Sequence, residues 1–146
     1  MKLLISACLL GCACRYDGGS KPRPDAVALA ARHQLVPVCP EQLGGLPTPR
    51  PPAERVGDRV LTKAGGDVTD NYRRGAEQAL LLCQLNGCQA AVLKEKSPSC
   101  GCGAVYDGTF TGTLAAGDGV TAETLKAAGI PVYGESRIGA LMGDAE

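Results

Sequence analysis

Apolar residues along the chain fall into short runs separated by Gly, Pro and charged positions, and strand-length runs alternate with helix-length ones. Lys2 to Ser6 (KLLIS) predicts a short buried strand, and the Ala- and Leu-rich segment Asp25 to His33 predicts a helix. Gln34 to Val38 (QLVPV) predicts a second strand. Its Pro37 points to a sheet edge or an irregular end, because proline cannot donate to a ladder. Gly44 to Glu54 (GGLPTPRPPAE) holds four prolines and predicts a semi-rigid irregular loop. Arg59 to Lys63 predicts a small strand. Asp67-Val68-Thr69-Asp70 then supplies an N-cap to a long helix reaching about Asn86, with Gly87 as its stop. Ala90 to Leu93 (AAVL) predicts a buried strand that feeds the turn SPSCGCG, Ser97 to Gly103. Tyr106 to Thr109 predicts a tight turn, Thr121 to Ala128 a helix stopped by Gly129, and Ile130 to Tyr133 a last strand. Strand and helix alternate at the spacing of an α/β fold: one domain over residues 1–146, with a mostly parallel open sheet flanked by helices in three Rossmann-like layers.

Composition narrows the function. Hydrophobic residues make up 45% of the 146, and 15 basic residues balance 15 acidic ones, which argues against disorder and against a polyanion-binding surface. The run Lys94-Glu95-Lys96 mixes signs and predicts a solvated strand end. No apolar run reaches the roughly 18 residues of a membrane span. The opening KLLISACLLGCA passes directly into the charged RYDGGSKPRPD, so it predicts a buried strand and loop and a cytoplasmic protein. In that reducing compartment the eight cysteines point to metal binding or reactive thiols, since disulfide frameworks belong to small secreted domains.

Position sorts these thiols. Cys8 follows the first predicted strand, Cys39 the second, and Cys100 the strand AAVLKEK. Ligands of an open parallel sheet collect beyond the carboxyl ends of its strands, so three thiols distant in sequence can meet there. Three converging thiolates suit a zinc site with an open position, a redox pair with a neighbour, or an iron–sulfur cluster with one iron free. Gly and Ser in SACLLGCAC and SPSCGCG leave room for an inorganic core and can offer backbone N–H groups to its sulfides. Cys83, within the amphipathic helix, and Cys88, at the entry to a buried strand, are predicted core residues. Cys12, Cys14 and Cys102 stand at chelating spacings, C-x3-C-x-C and C-x-C, and spacing alone leaves cluster, zinc and thiol pair open.

Six segments taken in order, SACLLGCACRYDG, CPEQLGGLPTPRPPAE, DVTDNYRRGAEQAL, LKEKSPSCG, VYDGTFTG and GDGVTAETLKAAGIPVYGE, resemble the bacterial family of 2-thiouracil desulfurases, formerly a domain of unknown function. CPE-x-x-GGLP-x-PR together with SPSCG carries the resemblance most specifically. It implies a [4Fe-4S] cluster held by Cys8, Cys39 and Cys100, whose fourth iron takes the thiocarbonyl sulfur so that water replaces it, giving uracil and hydrosulfide without net redox change. The implied partner is a small thiolated pyrimidine, and the neutral net charge argues against a large RNA.

Desulfuration asks for deprotonation of water and protonation of the departing group, tasks for a carboxylate near the metal. Glu41, two residues beyond Cys39, matches the family's catalytic glutamate; its structural alternative is a carboxylate at a helix N-terminus. Ser97 matches the family's catalytic serine and would orient substrate or relay a proton; its alternative is a turn-capping hydroxyl. Ser99 is a candidate substrate contact that either donates to the cluster or shapes the turn, and Arg15 and Asp17 either brace the first loop or read the pyrimidine edge. Phe110 and Tyr106 could stack on a flat base or pack the core. His33, the single histidine, is expected at a helix end on the surface. Two readings of other classes compete: a cluster- or zinc-binding accessory protein that passes sulfur to a partner, and a structural zinc protein. A desulfurase acting on thiolated nucleosides or RNA is the variant within the first class.

Overall fold

The computed structural model describes residues 1–142. The chain opens with β1 (Lys2–Ser6) and a 3-10 turn over Ala7–Leu10. Next come α1 (Pro24–Ala28), extended by a 3-10 turn to Ala31, and β2 (Gln34–Val38). A single-turn α2 (Pro40–Leu43) leads to the hairpin β3 (Ala53–Val56) and β4 (Arg59–Thr62), and then to the long α3 (Thr69–Asn86). The second half holds β5 (Ala90–Leu93), β6 (Ala104–Tyr106), β7 (Leu114–Ala116), α4 (Val120–Ala127), β8 (Val132–Gly134) and α5 (Gly139–Met142).

Four strands form one parallel sheet in the order β2-β1-β5-β8, as the alternation of elements predicts. β2 lies at the edge, where the missing N–H of Pro37 costs no ladder bond toward solvent. Side chains alternate across β1: Leu3 and Ile5 join Ala26, Leu29 and Leu141 on one face, while Leu4 joins Ala79, Cys83 and Leu125 on the other. Helices α1 and α5 therefore cover one face and α3 and α4 the other, which gives the three layers. Cys83 is fully buried, in keeping with its expected core role. Asp67 caps α3 through its Oδ1, which accepts from the Thr69 N–H at 2.9 Å, and Gly87 ends that helix in the left-handed conformation.

Three readings change. Tyr106 closes a strand instead of opening a tight turn, because Ala104–Tyr106 pairs antiparallel with Leu114–Ala116. Lys94 is no solvated strand end: it is half-buried and its Nζ lies 3.1 Å from the Glu135 carboxylate. His33 likewise is only partly exposed, with Nε2 3.3 Å from the Leu141 carbonyl, so it ties the α5 region to the strand that follows α1.

Helix α2 sits on α3 at glycine distance. A Cβ on Gly75 would lie 1.9 Å from the Pro40 carbonyl oxygen, and one on Gly44 would lie 2.0 Å from that of Asn71. Both obstacles are backbone, which cannot swing aside. Gly75→Ala is therefore expected to push α2 off α3 and to cost about 1–3 kcal/mol, measured as a lowered urea midpoint at unchanged m-value. An unchanged midpoint would refute this tight packing.

Candidate active site and cluster cradle

The carboxyl ends of β1, β2 and β5 open into one cavity of about 580 Å³. Cys8, in the turn after β1, Cys39, between β2 and α2, and Cys100, in the turn after β5, all line it. The parallel sheet thus brings together the three thiols singled out in the sequence, each on a separate loop. Cys14 joins them as a fourth thiol at the cavity, where its carbonyl accepts from the Cys39 thiol at 3.6 Å. Cys12 is exposed and Cys102 points its thiol at the Val132 carbonyl, so neither lines this space.

Burial shifts three of the cavity thiols, Cys8, Cys14 and Cys100. It pushes Cys8 up to about 11, opposed in part by the Lys94 ammonium, and Cys14 up to about 12, reinforced by its neighbours Cys39 and Cys8. Cys100 is raised well above the ordinary thiol range by burial, with the Ser6 hydroxyl acting against it. Thiols of this kind stay protonated at neutral pH until a cation stabilises their thiolates, so loading must release protons. Among the described residues no three His, Cys, Asp or Glu side chains close on a single-ion position. An iron–sulfur cluster asks something different, one thiolate per iron around a shared inorganic core, and the chemistry of the soft thiol donors lining this one cavity suits it.

Glu41 stands in the single turn of α2 and faces the same cavity. Its Oε2 accepts from the Tyr72 hydroxyl at 2.7 Å and from Arg50 Nε at 3.3 Å. Tyr72 is buried, and burial followed by the Glu41 charge raises its phenol far above the usual range, so it acts as a fixed donor. Arg50, whose side chain is only 3% exposed, also donates to the carbonyls of Pro47 at 3.2 Å and Cys14 at 2.9 Å and to Thr48 Oγ1 at 3.0 Å. One guanidinium thereby joins the proline-rich loop, the Cys14 loop and the glutamate. The sequence reading passed over Arg50 and Tyr72, whose roles rest on partners far along the chain; the CPE-x-x-GGLP-x-PR motif, which contains Arg50, was the available signal.

Ser97 lines the cavity and caps its own turn, since Oγ accepts from the N–H groups of Ser99 at 3.0 Å and Cys100 at 3.1 Å. Both anticipated roles are thus compatible: with its oxygen accepting twice, the hydroxyl proton remains available to donate. Ser99 is placed elsewhere. It is fully buried, its Oγ lies 2.8 Å from Thr121 Oγ1, and it does not line the cavity. It anchors the turn to α4, the turn-shaping alternative, and its Oγ accepts a long contact of 3.9 Å from the Cys100 thiol. Arg15 lines the cavity and pairs with Asp17 at 3.5 Å, whereas Asp17 lies outside it, so bracing is the geometry observed for that pair. Tyr106 and Phe110 both line the cavity wall. Ser6, buried at the end of β1, accepts from the Lys94 N–H at 2.9 Å and was not singled out from the sequence.

Comparisons with known proteins agree on one relationship. The family model described as 2-thiouracil desulfurase matches residues 3–137. The uncharacterized protein YbbK of Bacillus subtilis (strain 168) is 40% identical in an alignment that covers 93% of this chain and 97% of that protein. A solved structure described as the [4Fe-4S]-dependent thiouracil desulfidase TudS is 50% identical with a TM-score of 0.91, over 97% of this chain and 95% of that one.

Proposed function

The chain belongs to the 2-thiouracil desulfurase family, and on that footing we propose that it is a [4Fe-4S]-dependent desulfidase converting 2-thiouracil and water to uracil and hydrosulfide. The observation that carries the reading to this chain is the meeting of Cys8, Cys39, Cys100, Glu41 and Ser97 at one cavity above the sheet. Cys8, Cys39 and Cys100 would hold the cluster. When bound, it supplies an iron without a protein ligand that draws electron density from the substrate sulfur.

The chain's own groups account for the protons. The Glu41 carboxylate, oriented by Tyr72 and Arg50, takes a proton from the attacking water. As the oxygen bonds to C2 the carbon–sulfur bond breaks, and the pair of electrons leaves with sulfur as hydrosulfide. C2 exchanges a double bond to sulfur for one to oxygen, so no reductant or oxidant is consumed. Ser97 donates its hydroxyl proton to the departing sulfur and recovers the second water proton from the C2 hydroxyl as it becomes the carbonyl, its oxygen held by two backbone N–H groups, while Glu41 returns its proton to solvent. Arg15 borders the substrate volume and Phe110 and Tyr106 offer flat surfaces to the ring. The protein acts in the cytoplasm as an enzyme of sulfur metabolism; among the described residues no helix is long and apolar enough to cross a membrane.

A second reading keeps the chemistry and enlarges the substrate. Lys21, Lys63 and Lys96 are exposed and line the cavity, which favours a thiolated pyrimidine that carries a phosphate.

Anaerobic reconstitution tests both. Iron and acid-labile sulfide of about four per chain, with hydrosulfide released from 2-thiouracil, is the expected result. Zinc without turnover would turn the same thiols into a structural site, and a cluster without turnover would favour a sulfur carrier. A much lower KM for 2-thiouridine monophosphate than for the free base would select the enlarged substrate.

A further inference from the structure

Among the described residues Glu54 is the one acidic side chain in the buried polar set, 9% exposed, and the mechanism leaves it unused. It closes the proline-rich loop at the start of the β3–β4 hairpin and faces the cavity. Its Oε1 accepts two backbone bonds from a segment more than fifty residues away, from the Gly108 N–H at 2.9 Å and the Phe110 N–H at 3.0 Å. Phe110 has φ +58°, a left-handed conformation that a bulky residue adopts only when its surroundings impose it. Gly108 is left-handed too, at φ +95°, and a Cβ there would meet Val56 Cγ2 at 2.5 Å, so the loop lies directly against the hairpin. Val105 and Ala115 pair in β6 and β7 and the Asp107 N–H donates to the Thr113 carbonyl at 3.0 Å, which closes the loop's base; Asp107, Thr109, Thr111 and Thr113 bond one another within the loop, and Glu54 ties it to the hairpin.

We propose that Glu54 is a positioning residue that holds Phe110 in its left-handed conformation as an aromatic wall of the substrate cavity, and that this wall selects flat heterocycles. The inference rests on the desulfidase reading for its substrate. A charged acceptor makes stronger bonds to backbone N–H groups than a neutral one, and here both go to a single oxygen on a rigid strand. The aromatic face is thereby set before substrate arrives, which lowers the ordering cost of binding. Without the clamp, Phe110 can relax to an ordinary φ and the wall is lost.

The test uses the reconstituted enzyme and the variants Glu54→Ala, Glu54→Gln, Phe110→Ala and the double variant Glu54→Ala/Phe110→Ala. Wild-type turnover of 2-thiouracil establishes the underlying reading, and its failure would strike that reading alone. Given turnover, Glu54→Ala and Phe110→Ala are each expected to raise KM about tenfold with kcat and iron content within twofold, a change equivalent to about 1.4 kcal/mol. The double variant is expected to match Phe110→Ala, because two residues acting through one wall are not additive. Glu54→Gln, which keeps an acceptor oxygen, restores most of the KM. Amide hydrogen exchange at residues 107–112 provides a second readout, faster in Glu54→Ala than in wild type or Phe110→Ala. Additive KM effects, an unchanged KM in Glu54→Ala, or unchanged exchange would each overturn the proposal. Should Glu54→Ala not fold, Glu54→Gln decides: slow exchange and a KM near wild type support the clamp, and a KM as high as that of Phe110→Ala overturns it.

Discussion

Replacing Cys39 by alanine is expected to leave a folded protein that retains no cluster. Cys39 occupies the N-cap position of α2, but its side chain makes no capping bond, so the helix loses nothing there. Its thiol donates only a long contact of 3.6 Å to the Cys14 carbonyl, and that carbonyl keeps Arg50 as a donor. The fold should therefore stand, with a thermal midpoint close to wild type. The cradle, by contrast, drops from three of the proposed thiolates to two, while clusters are ordinarily held by four ligands and already lack one here. Iron and sulfide analysis after anaerobic reconstitution should return values near zero and a colourless protein. A variant that still held about four irons would show that Cys14, the other thiol at the cavity, had replaced Cys39 or had been the ligand all along.

For Glu41→Gln the expectation is the reverse: full iron content with kcat lowered by about 10²–10⁴-fold, the range that a positioned general base contributes. Glutamine keeps an acceptor for the Tyr72 hydroxyl and nearly the same volume, so geometry is conserved while basicity disappears. Arg50 loses its ion partner but retains the Pro47 and Cys14 carbonyls and the Thr48 hydroxyl, which protects the loop from collapse. Rate and iron content must be read on the same sample, since loss of both would make Glu41 part of the cradle. A rate within a few fold of wild type would remove it from the chemistry.

The layers were legible in the sequence because the strands that build them are short apolar runs bounded by turn residues. β1, β2 and β5 carry the predicted boundaries, and Pro37 marked the edge. The three thiols could be assigned to one end of the sheet for the same reason, since the carboxyl end of a parallel strand is a topological position. β7 could not be found in this way: all of Leu114–Ala116 is exposed, so it shows no alternation, and pairing alone makes it a strand. Single-turn α2 is too short for a period. Charged and polar residues misled most. Arg50 lies among prolines with no local mark of its role, yet it is buried against the Cys14 carbonyl of another loop and Glu41 of α2. Ser99, a candidate contact in the sequence, is covered by α4 through Thr121. Lys94 and Glu95 read as a strand end until Glu135, from beyond β8, supplies the Lys94 partner and accepts the Glu95 N–H at 2.6 Å. In each case the deciding contact is long in sequence and electrostatic, and local pattern carries no record of it.

The guanidinium of Arg50 also bears on how the cofactor arrives. By joining the Cys14 carbonyl, the Pro47 carbonyl and Glu41, it draws together the loops that follow β1 and β2 during folding itself. The entropy of closing those loops is then lost when the chain folds and not when iron and sulfide enter. The order of the loops around the three thiols is thus carried by the chain's own hydrogen bonds, with one buried guanidinium as their common donor.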